Sequence, residues 1–293
     1  MTIEYNTPED ISSHKNYSQN YGKYLADIEE ESVKQNIIKH FKPSICYDEY
    51  FTDEEIEWMQ AFAFSRCSRL RINPNGTFFV SGNMQGVFEK FRDRFESLAP
   101  GCSNSPVVKG NYFITPEQYG LHNDSIHKKD WTVTFGEDGG WSKLPKTHPD
   151  RKWVPWRNII VPLMVSPDVP STITFMNQRH VSWFTVYNHG AENVVAADYP
   201  IITDYSEIEF HTKDGAQPIA HNTVPYDKTH WNTHLNYTPY ERLTGLTEEH
   251  TFHWKPKCPM VFDCYQLHAT NQGMQKPWRI KMGLLLCFFR EVK

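Results

Sequence analysis

The sequence contains no Cys-x-x-Cys pair. Its six cysteines stand apart at positions 46, 67, 102, 258, 264 and 287, which sets aside a zinc ribbon or a dithiol redox motif. It has no surplus of positive charge: 30 Lys and Arg face 35 Asp and Glu, for a net charge of −5, so a polyanion meets no general attraction and nonspecific nucleic-acid binding is not expected. Long hydrophobic runs are missing too. The longest, Met282 to Phe289, falls far short of the roughly 20 residues that cross a bilayer. The first residues, MTIEYNTPED, are polar and acidic where a secretory leader is basic and then apolar, so a soluble, cytoplasmic protein without a membrane partner is expected. There is no G-x-S-x-G elbow, no P-loop and no dinucleotide-binding glycine fingerprint, which leaves several large enzyme classes without a motif.

What is present is enough apolar material for a folded core. Of 293 residues, 39% are hydrophobic and 14% aromatic, and a chain of this length needs no disulfide or metal staple to fold. The first part, about 1–105, reads mainly as helix. Thr52 and Glu55 form a capping-box pattern ahead of a helix over about 53–68. Met84, Val87, Phe88, Phe91, Phe95 and Leu98 then recur at helical intervals behind Asn83 as candidate N-cap, a stripe that reads as core packing. From about 106 the texture changes to short β-prone runs at 107–115, 131–135, 156–165, 171–176, 182–188, 258–264 and 279–289. Strands following a helical block point to one mainly-β domain over 1–293, a jelly-roll or sandwich with N-terminal helices packed outside it. Residues 125–155 and 189–256 fit no tight turn. Such long insertions read as lids or binding loops.

Leu121-His122-Asn123-Asp124 contains a His-x-Asp pair. On an extended chain residues two apart point to the same side, so this imidazole and carboxylate can reach one metal ion. By itself the pair is weak, since a His and an Asp bonded to backbone at a strand end look the same in sequence. A later segment, Phe262-Asp263-Cys264-Tyr265-Gln266-Leu267-His268, ends a strand on a histidine. After a polar turn, Trp278-Arg279-Ile280-Lys281-Met282 opens another.

That order of residues resembles the iron(II) and 2-oxoglutarate-dependent oxygenase superfamily, of the phytanoyl-CoA or prolyl hydroxylase type. The resemblance covers roughly 107–290 and is specific at four positions. It implies a double-stranded β-helix (cupin-like jelly-roll) core and a metal held by His122, Asp124 and His268. Two imidazoles and a carboxylate on one face of an octahedral iron(II) leave three adjacent positions open, which the family fills with 2-oxoglutarate and dioxygen. The cosubstrate's far carboxylate then falls to Arg279, whose planar fork suits a carboxylate. Lys281, on the same strand face, is the competing cation. The implied reaction is hydroxylation of a small molecule or of an amino-acid side chain in a peptide.

The interval between Asp124 and His268 is long for such a family and brings in rival histidines. His253, in Thr251-Phe252-His253-Trp254, is the strongest of them but lacks a suitably spaced downstream Arg. His230 and His234 have the spacing of a zinc helix, but Trp231 stands where a metalloprotease carries its glutamate, so they read as polar loop histidines. Two other functions compete with the oxygenase: a cupin-like isomerase or hydrolase, with zinc or no metal, and a carbohydrate-binding β-sandwich that would stack sugars on exposed Trp131, Trp141, Trp153 and Trp156.

Overall fold

The computed structural model describes residues 26–292 apart from 27, 29, 66–70, 73–77, 106–107, 116–118, 126–151, 168–169, 183–184, 188–200, 203–208, 213–223 and 272–279. The expected strand at 131–135 and most of the first insertion therefore lie outside the described residues. Helix α1 covers Glu31–Ile38. Helix α2 spans Asp53–Ser65, and its start is the expected capping box: the Glu55 carboxylate accepts from the Thr52 backbone N–H and the Thr52 hydroxyl from that of Glu55. Asp53, Glu54 and Glu55 fill its first turn, where the partial positive charge of the helix end favours acids.

The second predicted helix is corrected in two ways. Asn83 does not cap it but ends a strand, and the helix divides at Phe91 (φ −122°, ψ 31°) into α3, Gln85–Lys90, and α4, Arg92–Leu98. The apolar stripe survives the break, with Met84, Val87, Phe88, Phe91, Phe95 and Leu98 all buried in one cluster. Among the described residues the N-terminal part holds strands as well as helices. It contributes β1 (Ile45–Cys46), β2 (Arg71–Ile72) and β3 (Phe78–Asn83), and β3 pairs along its whole length with β4, Lys109–Thr115.

The remaining strands are β5 (Lys152–Val165), β6 (Thr172–Arg179), β7 (Val186–Tyr187), β8 (Ile201–Ile202), β9 (His211–Thr212), β10 (Glu248–His253), β11 (Met260–Asp263), β12 (Gln266–Thr270) and β13 (Lys281–Val292). One sheet runs β1-β11-β5-β13-β4-β3-β2, the other β10-β6-β12 with β9 beside β6. His122 adds an isolated antiparallel bridge to His268 on β12. From β4 onward the chain alternates between the sheets: β4 large, His122 small, β5 large, β6 and β10 small, β11 large, β12 small, β13 large. This is a double-stranded β-helix, with helices on its outer face as expected. Among the described residues no helix is long and apolar enough to cross a membrane.

Both faces of the large sheet are covered, so its central strands read as near-continuous apolar runs rather than as alternation. Ile159, Val161, Leu284 and Leu286 face the helices with Phe88 and Phe95. Ile160, Leu285 and Cys287 face inward, where they meet Ile173 and Phe175 of the small sheet. Prolines 155 and 162 sit inside β5, a central strand, where a missing N–H breaks the ladder. The register shifts at both places, between Cys287 and Phe289 and between Met282 and Gly283, and bulges are where sheets tolerate proline. The second insertion is partly regular: Lys228–His230 and the wider turn Trp231–Leu235 form one helical stretch, α5, whose Leu235 and Trp231 cover the outer face of β6 and β12.

A buried charge network ties the N-terminal segment to the barrel. Arg179, 0% exposed, reaches Asp263 at 3.1 Å, Glu249 at 3.4 Å and the Lys42 carbonyl at 2.8 Å. Arg157 meets the other oxygen of Asp263 at 2.9 Å. Ser44 donates to Glu249 from both its backbone and its hydroxyl, at 2.7 Å each. Arg179→Met leaves two carboxylates short of a partner in the interior and should cost about 3–5 kcal/mol, read from urea unfolding. Burial works to raise the Glu249 pKa, but Arg179 and the Ser44 bonds prevail and hold it at about 2. Its contribution is thus fully present above the unfolded glutamate pKa of roughly 4.3 and is lost as pH falls toward 2. Glu249→Gln should flatten stability against pH in that window.

Candidate metal centre

Two histidines far apart in sequence become direct neighbours because their backbones pair. His122 N–H donates to the His268 carbonyl at 3.0 Å and His268 N–H to that of His122 at 2.9 Å. Such a doubly bonded antiparallel pair sets two side chains side by side on one face, and the imidazole centroids lie 4.1 Å apart. Asp124 follows His122 by two residues on the same side, its N–H bonded to the Cys264 carbonyl at 3.0 Å. Its oxygens lie 3.3 Å from His122 Nε2 and 3.3 Å from His268 Nε2. Among the described residues this is the one group whose His, Cys, Asp or Glu ligand atoms all fall within 4.8 Å of one another.

The hydrogen bonds behind the rings decide what the cluster can hold. His122 Nδ1 donates to the Gly120 carbonyl at 2.6 Å and His268 Nδ1 to the Gln266 carbonyl at 3.0 Å. A carbonyl only accepts, so both Nδ1 atoms carry the proton and, in the neutral rings, both Nε2 atoms present lone pairs. Those lone pairs face a carboxylate. Three acceptors aimed at one point need a cation between them. Ligand atoms about 2.1 Å from a first-row dication and at right angles are about 3.0 Å apart, close to the edges seen here. Burial is the main cause that lowers the His122 pKa, which favours the neutral, metal-binding form of the ring. Without a metal, protons on His268 and His122 can fill the gap and bond the carboxylate, and against the upward push of burial they hold the Asp124 carboxyl well below the usual carboxylate range; a cation between the three groups would take over that role. The residues thus fit a divalent metal bound by two imidazoles and one carboxylate, with the rest of its shell open.

His268 also fixes where the centre sits in the barrel. Its ring stacks on Phe175 at 5.3 Å and meets the edge of Phe262 at 5.0 Å, both members of the cluster between the sheets. The triad therefore faces the interior. At the other end of the same interior lies Lys281, 2% exposed, its Nζ 4.9 Å from the Trp254 ring centroid and 3.5 Å from the Ser171 hydroxyl. No carboxylate pairs with it among the described residues, and burial pushes its pKa down to about 7. Gly283, two residues on, makes room for this arrangement: a Cβ there would lie 2.8 Å from the Trp254 ring and 2.6 Å from Phe113.

The other sequence candidates fall as follows. Arg279 lies outside the described residues. His253 is exposed at the end of β10 and has no part in the triad. His230 and His234 sit on α5 with their rings 4.6 Å apart, but His230 is engaged by Tyr226, Thr251 and Glu248 and His234 by Thr172. They join the helix to the outer face of the small sheet. The sugar-stacking reading loses its platform at two of four positions, since Trp153 is buried and Trp156 packs against the helix-side core; Trp131 and Trp141 lie outside the described residues. Sequence reasoning did not single out Asn158, whose signal is a polar residue inside the apolar run Trp156 to Val165.

No protein-family model matches the chain, and no curated protein matches it in sequence. Solved structures similar to it include a Pseudomonas putida prolyl-4-hydroxylase, at 8% identity and a TM-score of 0.43 over 88% of this chain and 98% of that one. The epimerase SnoN from nogalamycin biosynthesis, in complex with Fe3+, alpha ketoglutarate and nogalamycin RO, has 8% identity and a TM-score of 0.44 over 88% and 83%. EctD from S. alaskensis, with 2-oxoglutarate and 5-hydroxyectoine, has 12% identity and a TM-score of 0.42 over 90% and 78%.

Groups that only hydrogen-bond to a metal's ligands are commonly worth roughly 10–100-fold in affinity, so His122→Ala, Asp124→Ala and His268→Ala should each weaken iron(II) binding by more than about 100-fold while the circular dichroism stays folded. His253→Ala should bind as wild type does. Iron retained after anaerobic loading and desalting measures this, and full retention in His268→Ala would count against the assignment.

Proposed function

We propose that the chain is an iron(II) and 2-oxoglutarate-dependent oxygenase, in which His122, Asp124 and His268 hold the metal and a cation at the head of β13 holds the cosubstrate. The observation that carries the reading is the convergence of two Nε2 lone pairs and a carboxylate on one point inside the barrel. A buried cation without a carboxylate partner among the described residues, Lys281, lines the same interior and supports a dicarboxylate as the second ligand. From Ser171, beside Lys281, to Phe175, beside His268, the extended chain covers roughly 13 Å at about 3.3 Å per residue. The ammonium already sits at the Ser171 end, so a five-carbon dicarboxylate, with its bonds to the metal and to Lys281, has a gap of that order to bridge.

When bound, iron(II) supplies activation of dioxygen. The balance for a hydroxylase is 2-oxoglutarate, dioxygen and a substrate C–H giving succinate, carbon dioxide and C–OH. The chain's own residues orient and exclude. The Gly120 and Gln266 carbonyls fix the tautomers of the two imidazoles. Phe175 and Phe262 wall the centre and keep bulk water from it. Lys281 neutralises the far carboxylate; Arg279, the cation that the sequence put forward for that role, lies outside the described residues.

Titration of 2-oxoglutarate into anaerobic iron(II) protein, followed by its metal-to-ligand charge-transfer absorption, tests the reading, together with succinate formation in air. Truncating one member of a buried charge pair costs about 2–5 kcal/mol, so Lys281→Met should weaken 2-oxoglutarate binding roughly 30- to several-thousand-fold with iron binding unchanged. Arg279→Ala in parallel apportions the charge between the two. A lysine that is largely neutral above pH 7 in the empty chamber must take up a proton to meet the dianion. Affinity should therefore fall as pH rises above about 7, and Lys281→Arg should flatten that fall. No charge-transfer band at any 2-oxoglutarate concentration would reject the proposal.

A further inference from the structure

We infer that Asn158 is a cosubstrate-binding residue, its side-chain amide donating a hydrogen bond to the carboxylate that 2-oxoglutarate sets beside the metal. The inference rests on the oxygenase reading and concerns a residue to which neither the metal site nor the charge pair assigns a role.

Asn158 lies on β5 and is 0% exposed. Its neighbour Ile159 belongs to the helix-side core and Ile160 to the cluster between the sheets. Alternation therefore turns Asn158 inward with Ile160. Its cross-strand partners agree: Phe262 on β11 and Cys287 on β13 both belong to the inter-sheet cluster. Phe262 touches the His268 ring, and the Asp124 carboxylate lies near enough to Cys287 and Cys264 to add to the upward push that burial gives both thiols. Asn158 thus stands in the wall of the interior at the triad end.

Its amide is half satisfied. The Cys264 thiol donates to Oδ1 at 2.8 Å, while Nδ2 has no hydrogen-bond partner. A buried N–H left unpaired costs about 1–3 kcal/mol, and native proteins hold few such groups. Purely structural packing would favour leucine, whose shape is similar and whose surroundings here are Phe262, Cys287 and Ile160. The thiols beside it are held neutral by burial and cannot serve as anionic acceptors. What an open donor beside a metal triad suits is an anion that arrives with the ligand, and a 2-oxo acid chelating the metal brings a carboxylate oxygen there. The bond would fix the plane of the chelate, while Lys281 fixes the far end.

The test uses the intact protein with iron(II) added anaerobically and 2-oxoglutarate as titrant. Asn158→Leu and Asn158→Ala should retain iron as wild type does and lose roughly 10- to 100-fold in 2-oxoglutarate affinity, the range for one hydrogen bond to a charged group. Their charge-transfer maximum should shift, since the carboxylate loses its partner. Asn158→Asp should bind more weakly still, through like-charge repulsion. Without ligand, Asn158→Leu should melt no lower than wild type, because an unpaired donor has been removed. Unchanged 2-oxoglutarate affinity and band position in the Leu and Ala variants would overturn the inference while leaving the oxygenase reading intact. A lowered melting temperature with unchanged affinity would do the same and make Asn158 structural. A wild-type protein that shows no band overturns both.

Discussion

Two backbone hydrogen bonds, exchanged between His122 and His268, govern most of what this barrel can do. They join the segment after β4 to β12, and so supply the small sheet with its last partner and bring together two of the three side chains proposed to hold a metal. A shift of one residue in that pairing would send one imidazole to the opposite face. The third ligand follows from the same extended segment, since Asp124 stands two residues after His122. The protein need not steer three independent side chains into place. It needs one register.

The charge network around Arg179 protects that register from outside. Gln266 precedes His268 by two residues, and its amide donates to Glu249 and to the Met176 carbonyl, at 2.8 Å each. Its own carbonyl is the one that holds His268 Nδ1. Asp263, between the two guanidiniums, immediately precedes Cys264, whose carbonyl holds the Asp124 N–H. The ion pairs are buried, costly to assemble and severe to break. Their geometric effect is to fix β11, β12 and the residues 42–44 in one arrangement, with the two carbonyls that aim the metal ligands among the groups they anchor.

Much of the centre was legible in the sequence because it is local. The His-x-Asp pair needs an extended chain and nothing more, and the capping box at Thr52 and Glu55 needs one turn of helix. The apolar stripe from Met84 to Leu98 also reads correctly as buried, although its periodicity does not reveal the break at Phe91: both short helices turn the stripe into one cluster, as one long helix would. Strand β3 was read as part of a helical region because its residues, Phe78 to Asn83, include Ser81 and Gly82 and gain their pairing from β2 and β4, which the sequence does not place beside it. The Arg179 network was not legible at all. Its members at 42, 44, 157, 179, 249 and 263 are brought together only by the closed barrel. Asn158 was hidden for the opposite reason: next to Arg157 at the head of an apolar run, it looks like part of a polar strand end until both faces of that strand are known to be covered.

Gly283 gives the interior a dependence that its own chemistry conceals. With no side chain at this position, the Trp254 ring lies across β13 and offers its face to the Lys281 ammonium. An alanine there would touch neither metal nor ligand, yet it would push the indole off its seat and the ammonium away from the surface that solvates it. Tolerance to substitution along β13 should therefore be low even at a position that contributes no functional group, and a map drawn from side-chain chemistry alone would leave that dependence blank.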